Sequence, residues 1–517
     1  MATAAKTLTT LSFAFIMSIS TIESARATDL ASASIEDVRR LLAAKQLSCL
    51  EIAQDALRRI QRLDHRLKAF IAVNPSLLDD ARRLDAMREA GDVRPLHCVT
   101  VAVKDNIDVR GLATTGGSVL LRGNRPAQDA TAVQRLRDAG ALIIGKTNLD
   151  ELAVAGSTIS SLGQQTRNAY DLERFAAGSS GGSAVAVATG MAACALGTET
   201  VNSLRNAASS AGVVAVRSTH GVVSRHGSIP LSTTMDVVGP ICRSVGDAIR
   251  ILAVISGRDL RDPATVGSEG LERAIAPGTI HPADLRTVKL GVLANLFGED
   301  AEHEAVNGVM AHALDTLRAA GVRTVDIADR EFDSDQSSRR LNVSNYEFRP
   351  LFEAYLSGIG PIAGLATLQD YYAARRFPES TMLKFLTNAV TWKDPLDMPE
   401  YLAALQYRQA MRAKLLALMD EHGLDALVYP AQKRPPLKTG DTPRPERNGI
   451  FASALGFPAI DLPAGYADGG GSAPVGLPIG MDLLGRPRQD ARLLGLALAV
   501  ERALGPRRAP AMAGEGR

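Results

Sequence analysis

Short apolar segments typical of β-strands alternate with helical patterns along most of this chain of 517 residues. The valine-rich segment HCVTVAVKDNI (97–107) predicts a strand, DATAVQRLRDAG (129–140) a helix, and ALIIG (141–145) a buried strand. Farther on, TVKLGVLAN (287–295) and GVRTVDI (321–327) predict strands around a helix near 304–320, and a long helix (399–423) precedes the strand LDALVYP (424–430). This alternation predicts an α/β fold built on a layered sheet.

The first residues have the features of a secretory signal peptide. Lys6 precedes the apolar run LTTLSFAFIMSIS (8–20), and Ala25 and Ala27 supply a small-residue cleavage pattern before Thr28. We therefore expect residues 1–27 to be removed and the protein to be secreted or periplasmic. Outside this region no run reaches about 18 apolar residues, so we expect no membrane contact after removal of the signal.

Composition indicates which classes of partner and cofactor the protein is not expected to bind. A net charge of +2 gives no reason to expect nucleic acid or an anionic membrane surface as a partner. The cysteines, Cys49, Cys98, Cys194 and Cys242, form no CxxC pair, and Cys194 falls in a segment (181–197) that predicts a buried helix. Export would permit disulfides, but four cysteines in so long a chain do not indicate a disulfide scaffold. The eight histidines are scattered, so we expect neither a metal site nor a cofactor.

One motif match is interpreted as coincidence. Residues 140–147, GALIIGKT, satisfy the phosphate-binding pattern GxxxxGK[ST]. A phosphate-binding loop needs exposed backbone amides, whereas the residues between the two glycines are Ala-Leu-Ile-Ile. This segment predicts a buried strand.

Three residues together indicate nucleophilic catalysis. Lys104 lies inside an apolar strand pattern, so it is either an edge-strand lysine that reaches solvent or a neutral lysine that acts as a base. Ser179 lies in GSSGGS (178–183), which is either a flexible loop or a shaped turn at the start of a helix. With Ser203 they supply a base, a relay hydroxyl and a nucleophile without any histidine.

These residues and their surroundings resemble the amidase signature family, which uses a Ser–cis-Ser–Lys triad. Lys104 lies 75 positions before Ser179, which lies 24 positions before Ser203, and both spacings fit the family. The resemblance extends over VAVKDNIDVRGLATTGGS, GALIIGKTNLDELA, GFPAIDLPAG and GLPIGMDLLGRPRQDARLL, and the region containing YEFRPLFEAYL is similar to peptide-amidase-like members. It implies a single large domain over 28–517, with a central mixed β-sheet covered by helices on both faces. Residues of about 330–400 would be a helical elaboration over the substrate.

The resemblance also implies roles for individual residues. Ser203 would attack the carbonyl carbon of an amide, and Ser179, following a cis peptide bond, would relay the proton to a neutral Lys104. Ser180 and Arg205 would support this network, and the backbone amides of Thr200, Val201, Asn202 and Ser203 would form the oxyanion hole. Val201 and Asn202 replace the usual glycines, so either their backbone angles are ordinary or the loop is reshaped.

The function that follows is an exported amidase acting on a small-molecule amide. Hydrolysis of carbamates or of cyclic and oligomeric amides uses the same triad, and esters are an expected side reaction. Two alternatives come from other classes: an amidotransferase-type subunit, which needs cytosolic partners and tRNA, and a catalytically impaired binding protein with a blocked oxyanion loop. A homodimer is one expected assembly, because enzymes of this size are commonly dimeric.

Overall fold

The computed structural model describes residues 29–441 and 446–516. The predicted signal peptide, residues 1–27, lies outside the described residues. No helix in the described ranges is long and apolar enough to cross a membrane.

Eleven of the strands form one sheet, and the other two, β4 and β5, pair with each other. The strands are β1 (Phe70–Val73), β2 (Thr100–Lys104), β3 (Leu142–Thr147), β4 (Ile159–Ser160), β5 (Gln164–Gln165), β6 (Cys194–Glu199), β7 (Val214–Arg217), β8 (Val237–Cys242), β9 (Lys289–Leu293), β10 (Arg323–Ile327), β11 (Ala426–Pro430), β12 (Ala459–Ala467) and β13 (Leu477–Leu484).

The large sheet is mixed. Its order is β1-β3-β2-β6-β8-β7-β12-β13-β11-β9-β10. Strands β3, β2 and β6 are parallel neighbours, as are β11, β9 and β10, and the remaining pairs are antiparallel. Because β2 lies between two parallel strands, its carboxyl end reaches the same edge of the sheet as that of β6, which places Lys104 beside Thr198.

Helices cover both faces of the sheet. They are α1 (Ile35–Ala43), α2 (Cys49–Leu67), α3 (Leu77–Glu89), α4 (Thr131–Asp138), α5 (Gly181–Ala188), α6 (Arg205–Ala211), α7 (Val245–Ile255), α8 (Leu271–Ala274), α9 (Glu304–Ala319), α10 (Ser334–Leu341), α11 (Ser344–Gly358), α12 (Leu368–Ala374), α13 (Glu379–Thr391), α14 (Pro399–Glu421), α15 (Ile450–Leu455) and α16 (Asp490–Leu504).

Successive side chains of a central strand point to opposite faces of the sheet and therefore belong to two different hydrophobic cores. Val101 and Val103 of β2 pack in a cluster with α4, α7, α9 and α16, whereas Ala102 packs in a cluster with α2, α3, α5 and α6. This confirms the predicted α/β class with a helix-covered mixed sheet. Helices α10 to α13 occupy the region of about 330–400, where helical structure was expected, and α11, α12 and α13 form a separate apolar cluster.

The segment around Cys194 differs from its prediction. Helix α5 ends at Ala188, and Cys194 begins strand β6, so the predicted helix over 181–197 is wrong in its second half. Alanine and cysteine fit a buried strand as well as a buried helix, and the pairing of β6 with β8 decides between them. That pairing places Cys194 opposite Cys242, and the two are disulfide-bonded.

Cys49 and Cys98 form the second disulfide, so none of the four cysteines is free. Each bond links residues almost 50 positions apart, one between helix α2 and the segment before β2, the other between two strands of the sheet.

The segment that matches the phosphate-binding pattern is a strand. Residues 142–147 form β3, all of them buried. Lys146, the lysine of the pattern, is fully buried and pairs with Asp105 at 2.9 Å. The interpretation of this match as coincidence is confirmed.

Candidate active site

Lys104 ends strand β2 and is completely buried. Its Nζ lies 2.8 Å from Ser179 Oγ, 2.8 Å from Thr198 Oγ1 and 3.3 Å from the Thr198 carbonyl oxygen. No carboxylate of the described residues lies within 4.0 Å of this nitrogen, and burial lowers the pKa of Lys104 to about 7. A lysine held in this way is available as a neutral base.

The glycine-rich turn that carries Ser179 is fitted closely to its surroundings. The Gly178–Ser179 peptide bond is cis, as expected. A Cβ at Gly178 would lie 2.5 Å from Asp150 Oδ2, and one at Gly182 would lie 2.4 Å from the Asn148 carbonyl oxygen. The turn therefore needs glycine for close approach, and it is not a flexible loop.

Ser180 and Ser203 adjoin this turn. The Ser180 amide donates to the Ser203 carbonyl oxygen at 3.2 Å, and the Ser180 hydroxyl donates to the Thr198 carbonyl oxygen at 3.1 Å. Ser203 is 6% exposed, and its hydroxyl has no hydrogen-bonding partner among the described residues. The structure thus brings the lysine and all three predicted serines to one place.

The loop of residues 200–203 has ordinary backbone geometry. Neither Val201 nor Asn202 has a positive φ angle. The Val201 carbonyl accepts from Arg205 Nη2 at 3.3 Å, and the Asn202 carbonyl accepts from the Asn206 amide at 2.8 Å. The amides of residues 200–203 donate to no acceptor in the described part of the chain. The carbonyls are therefore occupied elsewhere, and the amides are free to bind an oxyanion.

Arg205 lies behind this loop, in a buried cluster of charges. Its guanidinium donates to Glu199 Oε1 at 2.8 Å, to the Gly449 carbonyl at 2.8 Å and to Asp482 Oδ2. Burial opposes ionisation of Glu199, but Arg205 and Arg217 outweigh it and lower the pKa of this carboxyl. Glu199 in turn accepts from the Leu204 and Arg205 amides, so the cluster fixes the start of α6 directly after Ser203.

The neighbouring strands β12 and β13 carry two carboxyl groups in or beside this cluster. Asp461 and Asp482 lie opposite each other in the ladder and are fully buried. Burial raises the pKa of Asp482 to about 6 despite Arg205, and burial together with Asp482 raises the pKa of Asp461 well above its ordinary value. Burial and the neighbouring Asp482 thus both disfavour the ionised form of Asp461.

A cavity of about 600 Å³ adjoins the reactive turn. Ala177 and Asn206 line it beside the turn, and the Asn206 side chain donates to the Gly178 carbonyl at 3.2 Å. Helices α11 and α13 form one wall through Asn345 and Lys384. The predicted helical elaboration thus borders this cavity. A smaller cavity of about 250 Å³ reaches Thr198 and Thr200 from the other side.

Sequence reasoning missed several residues of the site. Thr198 and Asn106, which donates to Thr198 Oγ1 at 3.0 Å, complete the surroundings of Lys104. Asp482 and Arg447 lie more than 200 positions after Ser203. Asp482 falls in a segment that carries the family resemblance, but no local motif predicts the contacts of either residue with the site.

Two groups of possible metal ligands occur in the described ranges, and neither includes Lys104 or the three serines. Cys49 and Cys98 lie beside His97, but their thiols are joined in a disulfide. The second group is Asp300, Glu302 and His303.

Comparison with known proteins gives consistent results. A family model described as Amidase matches residues 51–494. A glutamyl-tRNA(Gln) amidotransferase subunit of Synechococcus sp. (strain JA-2-3B'a(2-13)) is 33% identical over 487 residues, covering 90% of this chain and 91% of the relative. The corresponding protein of Symbiobacterium thermophilum is 34% identical and covers 93% of this chain and 98% of its own. The native peptide amidase from Stenotrophomonas maltophilia superposes with a TM-score of 0.81 at 34% identity, covering 93% of this chain and 98% of that one.

The buried cluster generates a prediction about stability. Replacing Arg205 by methionine leaves Glu199 and Asp482 buried without this cation, so we expect Arg205→Met to lower the free energy of unfolding by about 3–5 kcal/mol. Urea titration followed by circular dichroism measures the change. Arg502→Met, at an exposed arginine, is the control and should cost less than about 0.5 kcal/mol. A loss below about 1 kcal/mol for Arg205→Met would contradict this account.

Proposed function

The chain belongs to the amidase family, and on that premise we propose that it is an exported serine amidohydrolase that forms an acyl-enzyme on Ser203. The observation that carries the proposal is the contact of 2.8 Å between Lys104 Nζ and Ser179 Oγ in a fully buried setting. A lysine in such a place has no structural use for its charge, because no carboxylate lies within ion-pair distance in the described chain. A proton acceptor is the role that this arrangement supports best.

In the first step a proton moves along the serines. Neutral Lys104 has two N–H groups, which the two oxygens of Thr198 can accept, so its lone pair is left for the Ser179 hydroxyl. Ser203 gives its proton to Ser179 as Ser179 gives its own to Lys104. The Ser203 oxygen then attacks the carbonyl carbon of the amide.

The negative charge that develops on the carbonyl oxygen needs donors that are already in place. The free amides of residues 200–203 are the proposed donors. The hydrogen bond from Arg205 to the Val201 carbonyl oxygen keeps that oxygen from taking the place of the oxyanion. Collapse of the tetrahedral intermediate breaks the carbon–nitrogen bond, and the relay returns a proton to the leaving amine. Water then attacks the ester, gives a proton to the same relay, and releases the acid and free Ser203.

The two disulfides support the proposed export. All four cysteines of the chain are paired, which is typical of proteins from oxidising compartments. The predicted signal peptide over residues 1–27 agrees with this location. Amides are the proposed substrates, and carbamates and cyclic or oligomeric amides stay within the reach of the same chemistry.

A second candidate is an amidotransferase-type subunit. It is favoured by the Synechococcus and Symbiobacterium relatives, which are named as subunits of a glutamyl-tRNA(Gln) amidotransferase. Such a protein would work with partner proteins in the cytosol, where disulfides are rare. The paired cysteines therefore favour the exported hydrolase over this candidate.

The nucleophile is tested by trapping it. We expect a fluorophosphonate to add one adduct mass to the intact protein, and we expect no adduct on Ser203→Ala, because only an activated serine reacts. Ser179→Ala should react more than about 100-fold more slowly, since the proton relay is broken. Intact-mass spectrometry is the measurement. A folded wild-type protein that takes up no probe would favour the binding-protein alternative.

The lysine is tested by the pH dependence of hydrolysis. Because burial lowers the pKa of Lys104 to about 7, the neutral base is lost below that pH, and kcat/KM should fall about tenfold per unit toward pH 5. Above pH 7 the profile should be level. Lys104→Arg cannot lose its proton and should lower kcat/KM by roughly 10³-fold or more at every pH. A profile that stays flat down to pH 5 would exclude Lys104 as the base.

Export and assembly are tested on the full chain expressed in a Gram-negative bacterium. We expect it in the periplasmic fraction, with a mass that corresponds to a start at Thr28 and with no thiol titratable after denaturation. A cytosolic, unprocessed protein with four free thiols, which releases ammonia from glutamine only with a second protein, would instead support the amidotransferase candidate.

A further inference from the structure

Arg447 presents a cationic side chain to the large cavity without a close ion-pair partner in the described ranges, and the charge of Asp150 acts on it from farther away. It lines the cavity together with Asn206 and Gly156. Its one polar side-chain contact with the described residues is a long bond from Nη1 to Asn202 Oδ1, at 3.4 Å. No carboxylate in the described ranges lies within 4.0 Å of its guanidinium. A guanidinium that lines a cavity and has no carboxylate in direct contact can still form hydrogen bonds to a ligand.

The position of Arg447 is built into the fold. Its backbone bridges Gln432, and the following Asn448 amide donates to the Ala431 carbonyl at 3.0 Å. The Asn448 side chain donates to the carbonyl oxygens of Leu296 and Pro430 at 2.7 and 2.8 Å. The guanidinium is therefore carried by an anchored strand-like segment next to β11.

Gly156 makes room for the guanidinium itself. A Cβ on Gly156 would lie 2.0 Å from Arg447 Nη1, so any larger residue would displace this group. The φ angle of Gly156 is not in the left-handed region, which means that its backbone does not need glycine. The space for Arg447 is the property that glycine provides at this position.

The nearby carboxylates are already occupied by other groups. Glu446 accepts from Arg434 at 2.9 Å, and Arg434 also pairs with Glu302. Asp150 accepts from the Ser157 amide at 2.9 Å, and it acts on Arg447 only through a longer-range charge interaction, since no ion pair within 4.0 Å joins the two side chains. Lys384 also lines the cavity, and its exposed side chain adds a positive charge there.

We infer that Arg447 binds a carboxylate carried by the substrate, so that this chain prefers acidic amides. The planar fork of a guanidinium matches the two oxygens of a carboxylate. Arg447 also contacts Asn202, the residue before Ser203, so a carboxylate bound there would lie near the serine proposed to attack the amide. This inference rests on the proposed function, since it specifies the substrate class of the same site.

The test compares matched substrates that differ in one charge. Succinanilate is compared with butyranilide for a carboxylate in the acyl part, and 4-acetamidobenzoate with acetanilide for one in the amine part. We expect the acidic member of at least one pair to have a kcat/KM at least about tenfold higher, as for a charge-assisted hydrogen bond. Arg447→Gln should bring that ratio to about one or below, and Arg447→Lys should restore part of it.

Two further variants separate a specific contact from general charge. Gly156→Ala keeps every atom of Arg447 but displaces its guanidinium, so it should lower the ratio as Arg447→Gln does. Arg376→Gln removes an exposed cation of the helical cover outside the cavity and should leave the ratio unchanged. If Lys384→Gln lowers the kcat/KM ratio between the acidic and the neutral substrate as much as Arg447→Gln does, the preference comes from the overall charge of the cavity, and the inference is overturned.

The outcomes also separate this inference from the proposed function. Hydrolysis of both members of each pair with equal kcat/KM overturns the inference and leaves the amidohydrolase intact. Failure to cleave any amide, together with no adduct on Ser203, overturns both. Calorimetric titration of Ser203→Ala with succinanilate adds a readout without turnover, and binding that survives Arg447→Gln unchanged contradicts the inference.

Discussion

The desolvated amine of Lys104 is the constraint to which the rest of the site is adapted. Two lysines of the described residues are completely buried on neighbouring strands, Lys104 at the end of β2 and Lys146 in β3. Lys146 receives a carboxylate, Asp105, at 2.9 Å, whereas Lys104 has only hydroxyl and carbonyl oxygens as partners. Burial without a counter-ion disfavours the charged form, and this is what lowers the pKa of Lys104 to about 7. Lys146 is therefore part of a structural ion pair, whereas Lys104 has the surroundings of the proposed base.

Burying the Lys104 amine costs free energy, and a rigid set of neighbouring groups holds it in place. These groups come from three segments of the chain. Strand β6 brings Thr198, the glycine-rich turn brings Ser179, and helix α6 begins directly after Ser203. The charges of Glu199 and Arg205 lie immediately behind these groups and fix the ends of β6 and α6 to each other. The cluster does not touch the reactive hydroxyls. It holds the loop of residues 200–203, whose amides are the proposed oxyanion donors.

Local patterns predict much of the fold. Strands such as β2 and β11 and the helix α9 follow their hydrophobic periods. The proposed triad was selected because a lysine and a glycine-rich turn are unusual in an apolar setting and because the spacing of its residues resembles that of the amidase signature family. The prediction was wrong where one composition fits both a buried helix and a buried strand, as in the alanine-rich segment that includes Cys194. It was silent where contacts join distant segments, as for Asp482 and Arg447, because no local pattern encodes a partner more than 200 positions away.

The loop before Ser203 shows how a departure from a familiar pattern is accommodated. Glycine is needed before a nucleophile only where φ is positive or where another group approaches closely. Neither Val201 nor Asn202 has positive φ, so the first reason does not apply. The second reason applies at the facing residue, since a Cβ on Gly449 would lie 2.3 Å from the Asn202 Cβ. The side chain of Asn202 is therefore accommodated because residue 449 is glycine. That side chain is also the one that Arg447 contacts.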